Sequence, residues 1–323
     1  MNLNRKSIRA AQTLAGQRLD QALLVAGLID SRAQGQKLIK DKKVWVNARL
    51  EKASYKVQLG DEIQLEIPEV VELELTPYDF PLNVPYEDES VIVVNKPAEL
   101  VVHPAYGHQS DTLINALMHR RTSLSPSTDP FRPGLVHRID KGTSGLLVLA
   151  KNESAHRFLA KQFLKKTIHR RYWALCFANK KILDGTITSY LSRDPNNRQR
   201  FVSLDEDRGK LAITHYKTLG QQRPFQLFEL TLETGRTHQI RVHLSNQQCP
   251  IVGDDVYNGK NQAKGLKNQT LKGLILNMDR FALHAKELGF VHPSSHKKML
   301  FKSPIPEDLH TLYQLSGLGE FLD

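Results

Sequence analysis

The chain has 323 residues, 40% of them hydrophobic, with 45 Lys or Arg against 34 Asp or Glu and two cysteines. This content excludes a disordered chain, and the length allows two domains. Two thiols, Cys176 and Cys249, cannot build a disulfide framework or a four-cysteine metal site, and they fit a reducing cytoplasm.

The first sixteen residues are polar and basic and lack the apolar core of a signal peptide. No stretch approaches the ~20 apolar residues of a membrane helix, so a cytoplasmic protein without a membrane partner is expected. Residues 16–67 read as a small module, and residues 1–67 together carry net charge +5. Leu19, Ala22, Leu23 and Ala26 recur at helical spacing, and Ser31 suits the N-cap of a second helix carrying Ala33, Leu38 and Ile39. Val44 to Val46 reads as a strand, Asn47-Ala48 as a turn, and Ile63, Leu65 and Ile67 as a closing strand. Arg32, Lys37, Lys40, Lys42 and Lys43 cluster in and after the second helix, where they would suit a phosphate backbone.

Residues 68–85 hold four prolines between acids, and residues 68–95 carry no basic side chain and net charge −7. An extended, stiff connector is expected. The larger body, 86–323, is basic again, so a polyanion is the natural partner of the whole chain. Val91 to Val94 reads as a buried strand and Thr112 to His119 as a short helix. Leu146 to Ala150 reads as a central strand, and Asn152 caps a helix through Phe163. In a strand from Ile168 to Phe177, Trp173, Leu175 and Phe177 share one face. Arg170 and Tyr172 lie on the other, taken as exposed. Strands follow at 186–191, 200–204, 211–218 and 225–233, then a turn at Thr234-Gly235-Arg236 and a helix over Thr237 to Ser245. Residues 258–273 are rich in Gly, Lys, Asn and Gln and read as a mobile loop. Strands outnumber helices without alternating with them, so an α+β class with antiparallel strands is predicted.

The most informative stretch is Gly134 to Lys151, G-L-V-H-R-I-D-K-G-T-S-G-L-L-V-L-A-K. It sets Asp140 between Arg138 and Lys141, with His137 near, ahead of an apolar strand. Neighbouring positive charge keeps a carboxylate ionised, although a surface turn with an ion pair would look the same. His137-Arg138 is not followed directly by Asp, as a kinase catalytic loop requires, and Gly142 to Gly145 completes neither a hydrolase elbow nor a phosphate loop. His292 and His296 have metal-like spacing but no acid or thiol partner, so no metal is expected. Arg241 lies one turn into the helix after Gly235, where a guanidinium could pair with Asp140.

Together these segments resemble the RluA-type pseudouridine synthases. The resemblance rests on Gly134 to Leu146, on Val93 to Pro97 with Leu100 to Pro104, and on Thr234 to His243. Ile251 to Tyr257, Leu283 to Ala285 and Pro304 to Pro306 continue it in order. Residues 16–67 are similar to the RNA-binding module named after ribosomal protein S-four. Ile139 stands where Leu is more usual, Gly142 where Asp is frequent, and Asn47-Ala48 where Asn-Gly is common. Residues 193–209 and 258–280 match least well.

The resemblance implies a pseudouridine synthase fold: a mixed, mainly antiparallel sheet over 86–323, joined by the 68–85 linker to the RNA-binding module. It implies isomerisation of uridine to pseudouridine in RNA without a cofactor. Asp140 would be the nucleophile, at the anomeric carbon or ring carbon six, or a base in a glycal route. Arg241 would keep it ionised, and Tyr172 would stack on the uracil and assist removal of the proton from ring carbon five. Arg138, with His137 beside it, would hold the place vacated by the flipped base. The implied partner is large-subunit rRNA or a ribosomal precursor particle, at the subunit-interface stem-loop. A monomer is expected, since nothing in the sequence suggests an obligate dimer. Other rRNA sites, tRNA, or a non-catalytic role in ribosome assembly are the alternatives, and a hydrolase or phosphotransferase is disfavoured by the missing phosphate loop.

Overall fold

A computed structural model describes residues 3–29, 32–68, 75–105, 107–127, 129, 131–197 and 199–322. The chain divides into two compact units, Met1–Leu73 and Glu74–Asp323. The first holds β1 (Leu3–Arg9), α1 (Leu19–Val25), α2 (Arg32–Lys40), β2 (Val44–Val46), β3 (Arg49–Leu50) and β4 (Glu62–Pro68). Its strands lie in the order β1-β4-β2-β3, all antiparallel. Its sheet therefore begins at residue 3 and not at 16. β1 pairs with β4 from Leu3↔Pro68 to Arg9↔Glu62. An edge strand with a solvated face carries charges freely, which hid it in a polar segment.

Leu19, Ala22, Leu23, Leu38, Val44, Val46, Ile63 and Leu65 form this unit's core. Asn47 and Ala48 both take left-handed backbone, with φ of 50° and 63°, and close the β2–β3 hairpin. The Asn47 amide donates to Asp61 (2.8 Å) and accepts from the Glu62 N–H (2.9 Å), which pins the turn without a glycine. Between α1 and α2, the fully buried Asp20 accepts from Arg18, Arg32 and Gln36. Burial alone would raise its carboxyl, but these hydrogen bonds outweigh that and hold it well below the usual range. The N-cap assigned to Ser31 lies outside the described residues.

The second unit opens with β5 (Asn83–Glu87), β6 (Val91–Lys96), α3 (Leu113–His119), β7 (Ser144–Ala150), α4 (Glu153–Leu164) and β8 (His169–Phe177). β9 (Gly185–Arg193), β10 (Phe201–Leu204), β11 (Lys210–Gln222), β12 (Phe225–Leu232) and α5 (Gln239–Asn246) follow. It closes with α6 (Gly259–Gln262), α7 (Gln269–Leu276), β13 (Leu283–Val291), β14 (Lys298–Lys302) and α8 (His310–Leu315). One sheet runs β10-β9-β11-β12-β8-β13-β7-β6-β5, with β14 added against β13. Among the described strand pairs only β13–β7 is parallel, so the unit is α+β with a mixed, mainly antiparallel sheet.

β7 is buried along its whole length. Its Leu147 and Leu149, with Ile92 and Val94 of β6, face one core layer. Leu146, Val148 and Ala150, with Val91 and Val93, face the other. That alternation explains a continuous apolar run in a strand covered on both sides. Gly145 joins β7 to β13 at φ +109°, where a Cβ would lie 2.3 Å from the Ala285 carbonyl oxygen. A side chain there would separate the two strands directly behind the Asp140 turn.

Two expectations are corrected. The stretch 258–273 is not a loop: it holds α6 and most of α7, whose Leu271 and Ile275 are buried and whose first turn is capped by Asn268. The 68–85 connector is structured in its second half. Residues 69–74 lie outside the described residues, but Tyr78, Phe80, Leu82 and Val84 pack on the large core, and the Asn115 amide at the start of α3 donates to the Thr76 carbonyl (2.8 Å). Apolar residues between the acids bury one side of this segment and leave the charges in water.

Candidate active site

The approach to β7 is built in two halves. In the first, His137 accepts from the Val148 N–H (3.1 Å) and stacks on Phe163, ring centroids 4.7 Å apart. Burial, with the charge of Arg170, pushes its pKa down to about 3, so the ring is a neutral acceptor. His137 is not among the residues that line the cleft; its ring is held between the Val148 N–H and Phe163.

In the second half the chain turns. Thr143 N–H donates to the Asp140 carbonyl (3.1 Å), and the Lys141 carbonyl accepts from the Glu99 N–H (2.9 Å) and from Lys96 Nζ (3.1 Å). Lys96 is fully buried and donates also to the carbonyls of Pro97 and Leu100, while burial pushes its pKa down to about 7. These bonds fix the backbone that presents Asp140.

Asp140 is 18% exposed and lines a cleft with about 530 Å³ of open space. Arg138, Arg170, Tyr172, His238 and Arg241 share its walls. Four of the five cleft and flipping candidates therefore converge, and His137 does not. Arg138 is exposed at the mouth. Tyr172 is buried, at 5% exposure, and not on an exposed face, because the sheet's neighbours β12 and β13 flank it through Leu230 and Ala285. Burial raises its phenol above the ordinary value, Arg170 opposes the rise and Asp140 adds to it.

Arg241 stands on α5, behind a tightly bonded turn. The Gln239 amide accepts from Thr234 (2.8 Å) and Arg236 N–H (3.0 Å) and donates to the Ile213 carbonyl (3.0 Å), tying the helix start to β11. His238 precedes it in left-handed backbone, φ 57°, and contacts the Tyr257 hydroxyl (2.9 Å). Arg241 is 5% exposed and donates through Nε and Nη2 to Asp254, at 2.7 and 2.9 Å. Its Nη1 lies 3.7 Å from Asp140 Oδ2. Burial would lower this guanidinium, but Asp254 and Asp140 together hold it above its usual value. The rings of Phe281 and Tyr257 lie 4.2 and 4.9 Å from its centre.

Asp254, Phe281, Tyr257, Lys96 and Arg170 carry no site role in the sequence, although Lys96, Asp254 and Tyr257 fall within the blocks of the resemblance and Arg170 shares the Tyr172 face. Asp254 carries a local signal: it follows Gly253, at φ +82°, and accepts from the N–H groups of Val256 and Tyr257 in a turn. Gly142 also has a reason. A Cβ there would lie 2.8 Å from the Phe281 ring that covers Arg241.

Residues 90–246 match the RNA pseudouridylate synthase family, and residues 17–63 match the S4 domain. Full-length relatives agree. An uncharacterized RNA pseudouridine synthase of Bacillus subtilis is 40% identical, covering 97% of this chain and 98% of its own. The chain belongs to the RNA pseudouridine synthase family. Ribosomal large subunit pseudouridine synthase D of Zymomonas mobilis is 40% identical over 96% of this chain and 97% of its own, and that of Escherichia coli K12 is 38% identical over 93% and 90%. Human RNA pseudouridylate synthase domain containing 1 shares the fold, at 22% identity, TM-score 0.53, and coverage of 73% of this chain and 95% of its own.

The enzyme is thus an isomerase acting on RNA, with an S4 module at its N-terminal end. Of the five basic residues assigned to that module's RNA surface, Lys37, Lys40 and Lys42 are exposed and Lys43 is half-buried. Arg32 is engaged with Asp20 at 2.9 Å. Among the described residues no group of three or more His, Cys, Asp or Glu could hold a metal ion, and no helix is long and apolar enough to cross a membrane.

Proposed function

We propose that this enzyme converts specific uridines of large-subunit ribosomal RNA to pseudouridine, at the subunit-interface stem-loop, with Asp140 as its reactive group. One observation carries the role of Asp140: the spare edge of Arg241, itself clamped by Asp254, faces it at 3.7 Å inside the cleft. The fixed cation orients the Asp140 carboxylate inside the cleft, whether it attacks the anomeric carbon, attacks ring carbon six or acts as a base in a glycal route. In each route the bond from C1′ to N1 breaks and one from C1′ to ring carbon five forms. N1 gains a proton and carbon five loses one, so no oxidant or reductant is consumed.

Tyr172 forms a wall on which the uracil stacks. Its raised pKa keeps the phenol protonated at neutral pH, which favours stacking over proton abstraction by this group. Arg138, exposed at the mouth, fills the place left by the flipped base. The S4 module, through Lys37, Lys40, Lys42 and Lys43, adds sequence-independent affinity. Relatives carrying the D name over more than nine-tenths of the chain support the ribosomal target. Two buried free thiols support a cytoplasmic site, and a monomer completes the reading. Mapping pseudouridines in RNA from cells with and without the gene tests the target. Loss confined to large-subunit rRNA is expected; loss in tRNA alone would overturn it.

A further inference from the structure

We propose that Arg170 is a phosphate-binding residue, taking a non-bridging oxygen of an RNA phosphate that flanks the target uridine. The proposal rests on the reading that the cleft receives that uridine.

Arg170 lies in β8 two residues before Tyr172, so both side chains leave the same face of the strand. It is 7% exposed and lines the cleft. Three arginines of the described residues are this deeply buried: Arg170, Arg241 and Arg280. Arg241 has Asp254, and Arg280 has Asp308 at 3.1 Å. No carboxylate of the described residues pairs with Arg170. Its Nη2 donates to the Leu232 carbonyl at 3.2 Å, and its buried Nε has no partner.

An unpaired buried cation is costly, and removing one partner of a buried pair is costly for the same reason. A cleft that receives a polyanion resolves the cost when the substrate arrives. The local geometry keeps the group available. The Phe163 ring lies 5.3 Å from the guanidinium carbon and braces its plane. Gly235 leaves room beside Nη1, because a Cβ there would stand 3.2 Å from that atom. A planar guanidinium with free N–H groups matches phosphate, and a point-charge ammonium does not reproduce it. The wall continues through Gly235 and Arg236 into a second groove lined by Arg208 and Lys210, a basic path along which a strand can leave the cleft.

The test uses the full-length enzyme and a stem-loop RNA in which single phosphates beside the target are replaced by neutral methylphosphonates. In the wild type, kcat/KM should fall by about 10-fold or more at one position, the loss of one hydrogen bond between charged groups. In Arg170→Gln the same substitution should cost at most about 2-fold, and the slope of log affinity against log salt should flatten by about 0.7. Arg170→Lys keeps the charge, should restore the slope but not the full rate, and serves if the Gln variant fails to fold. No sensitive phosphate in the wild type, or equal sensitivity in the Arg170 variants, would overturn the proposal. A loss in Arg170→Gln with unchanged phosphate sensitivity would assign the contact to a uracil carbonyl instead. Asp140→Asn, assayed alongside, separates the two readings: if it still forms pseudouridine, the account of the cleft fails and not only that of Arg170.

Discussion

Arg241 gives two of its N–H groups to Asp254 and turns a third toward Asp140, so one buried carboxylate aims the cation that serves another. The pair is not symmetrical. Asp254 is fully buried and bonded at 2.7 and 2.9 Å, while Asp140 is partly open and 3.7 Å away. Asp254 holds the guanidinium, and Asp140 keeps an open side toward the cleft.

Asp254→Asn should therefore damage a residue that touches no substrate. An amide cannot accept both guanidinium bonds, so Arg241 is left partly unpaired in the core. The expected loss is about 10²-fold in kcat and roughly 3–5 kcal/mol in unfolding free energy. Urea denaturation and tritium release from uridine-labelled RNA measure both. Wild-type kcat in this variant would remove Asp254 from the account.

Gly142→Ala should act through Phe281. The new Cβ would meet the ring at 2.8 Å, and the ring must shift away from Arg241. A cation–aromatic contact contributes about 0.5–2 kcal/mol, so stability should fall within that range and kcat by a few-fold. Phe281→Leu alone should cost a similar amount, and Gly142→Ala should then add little to it; additive losses, or unchanged stability in Gly142→Ala, would argue against the steric route.

His137 and Arg138 are adjacent and should separate cleanly. His137→Ala leaves the Val148 N–H without its acceptor, at a cost of roughly 1–3 kcal/mol. The kcat of the folded fraction should stay within about 2-fold, since the ring does not line the cleft. Arg138→Ala removes an exposed side chain and should leave the melting temperature alone while slowing the reaction on structured RNA. The opposite pattern in thermal melts and rates would restore His137 to the site.

Stability should fall in mild acid. Burial pushes His243 and His103 down to about 4 and His284 down to about 3. All three are neutral in the folded state at a pH where the unfolded chain, with ordinary values near 6.5, already binds protons. Their contribution is complete above about 6.5 and is lost as pH falls from there through the folded values. His243→Gln should reduce the slope of unfolding free energy against pH between 6 and 4.5 by about one proton. A slope equal to wild type would show that His243 is not buried neutral.

The fold and half of the site were legible because their signals are local. Asp140 sits in a run whose glycines, turn and apolar strand follow one another in sequence. Leu146 to Ala150 could only be a strand covered on both faces. The rest depends on distance. Asp254 and Phe281 reach Arg241 from segments 13 and 40 positions later, and their own neighbours say only turn and core. A basic strand face suggests solvent, yet Arg170 and Tyr172 form a buried, polar wall. The helices within 258–276 are masked in the sequence by Gly, Lys, Asn and Gln, whose exposed faces outnumber the few buried anchors, among them Ala263, Leu271 and Ile275.

The most direct test is Asp140→Asn, assayed by tritium release from uridine-labelled transcript and by RNA binding on the same sample. An Asn keeps the size of the side chain and the turn that Thr143 closes on its backbone carbonyl. The account predicts a folded protein that binds RNA with an affinity within a few-fold of wild type and forms no pseudouridine. Turnover retained in this variant would contradict it.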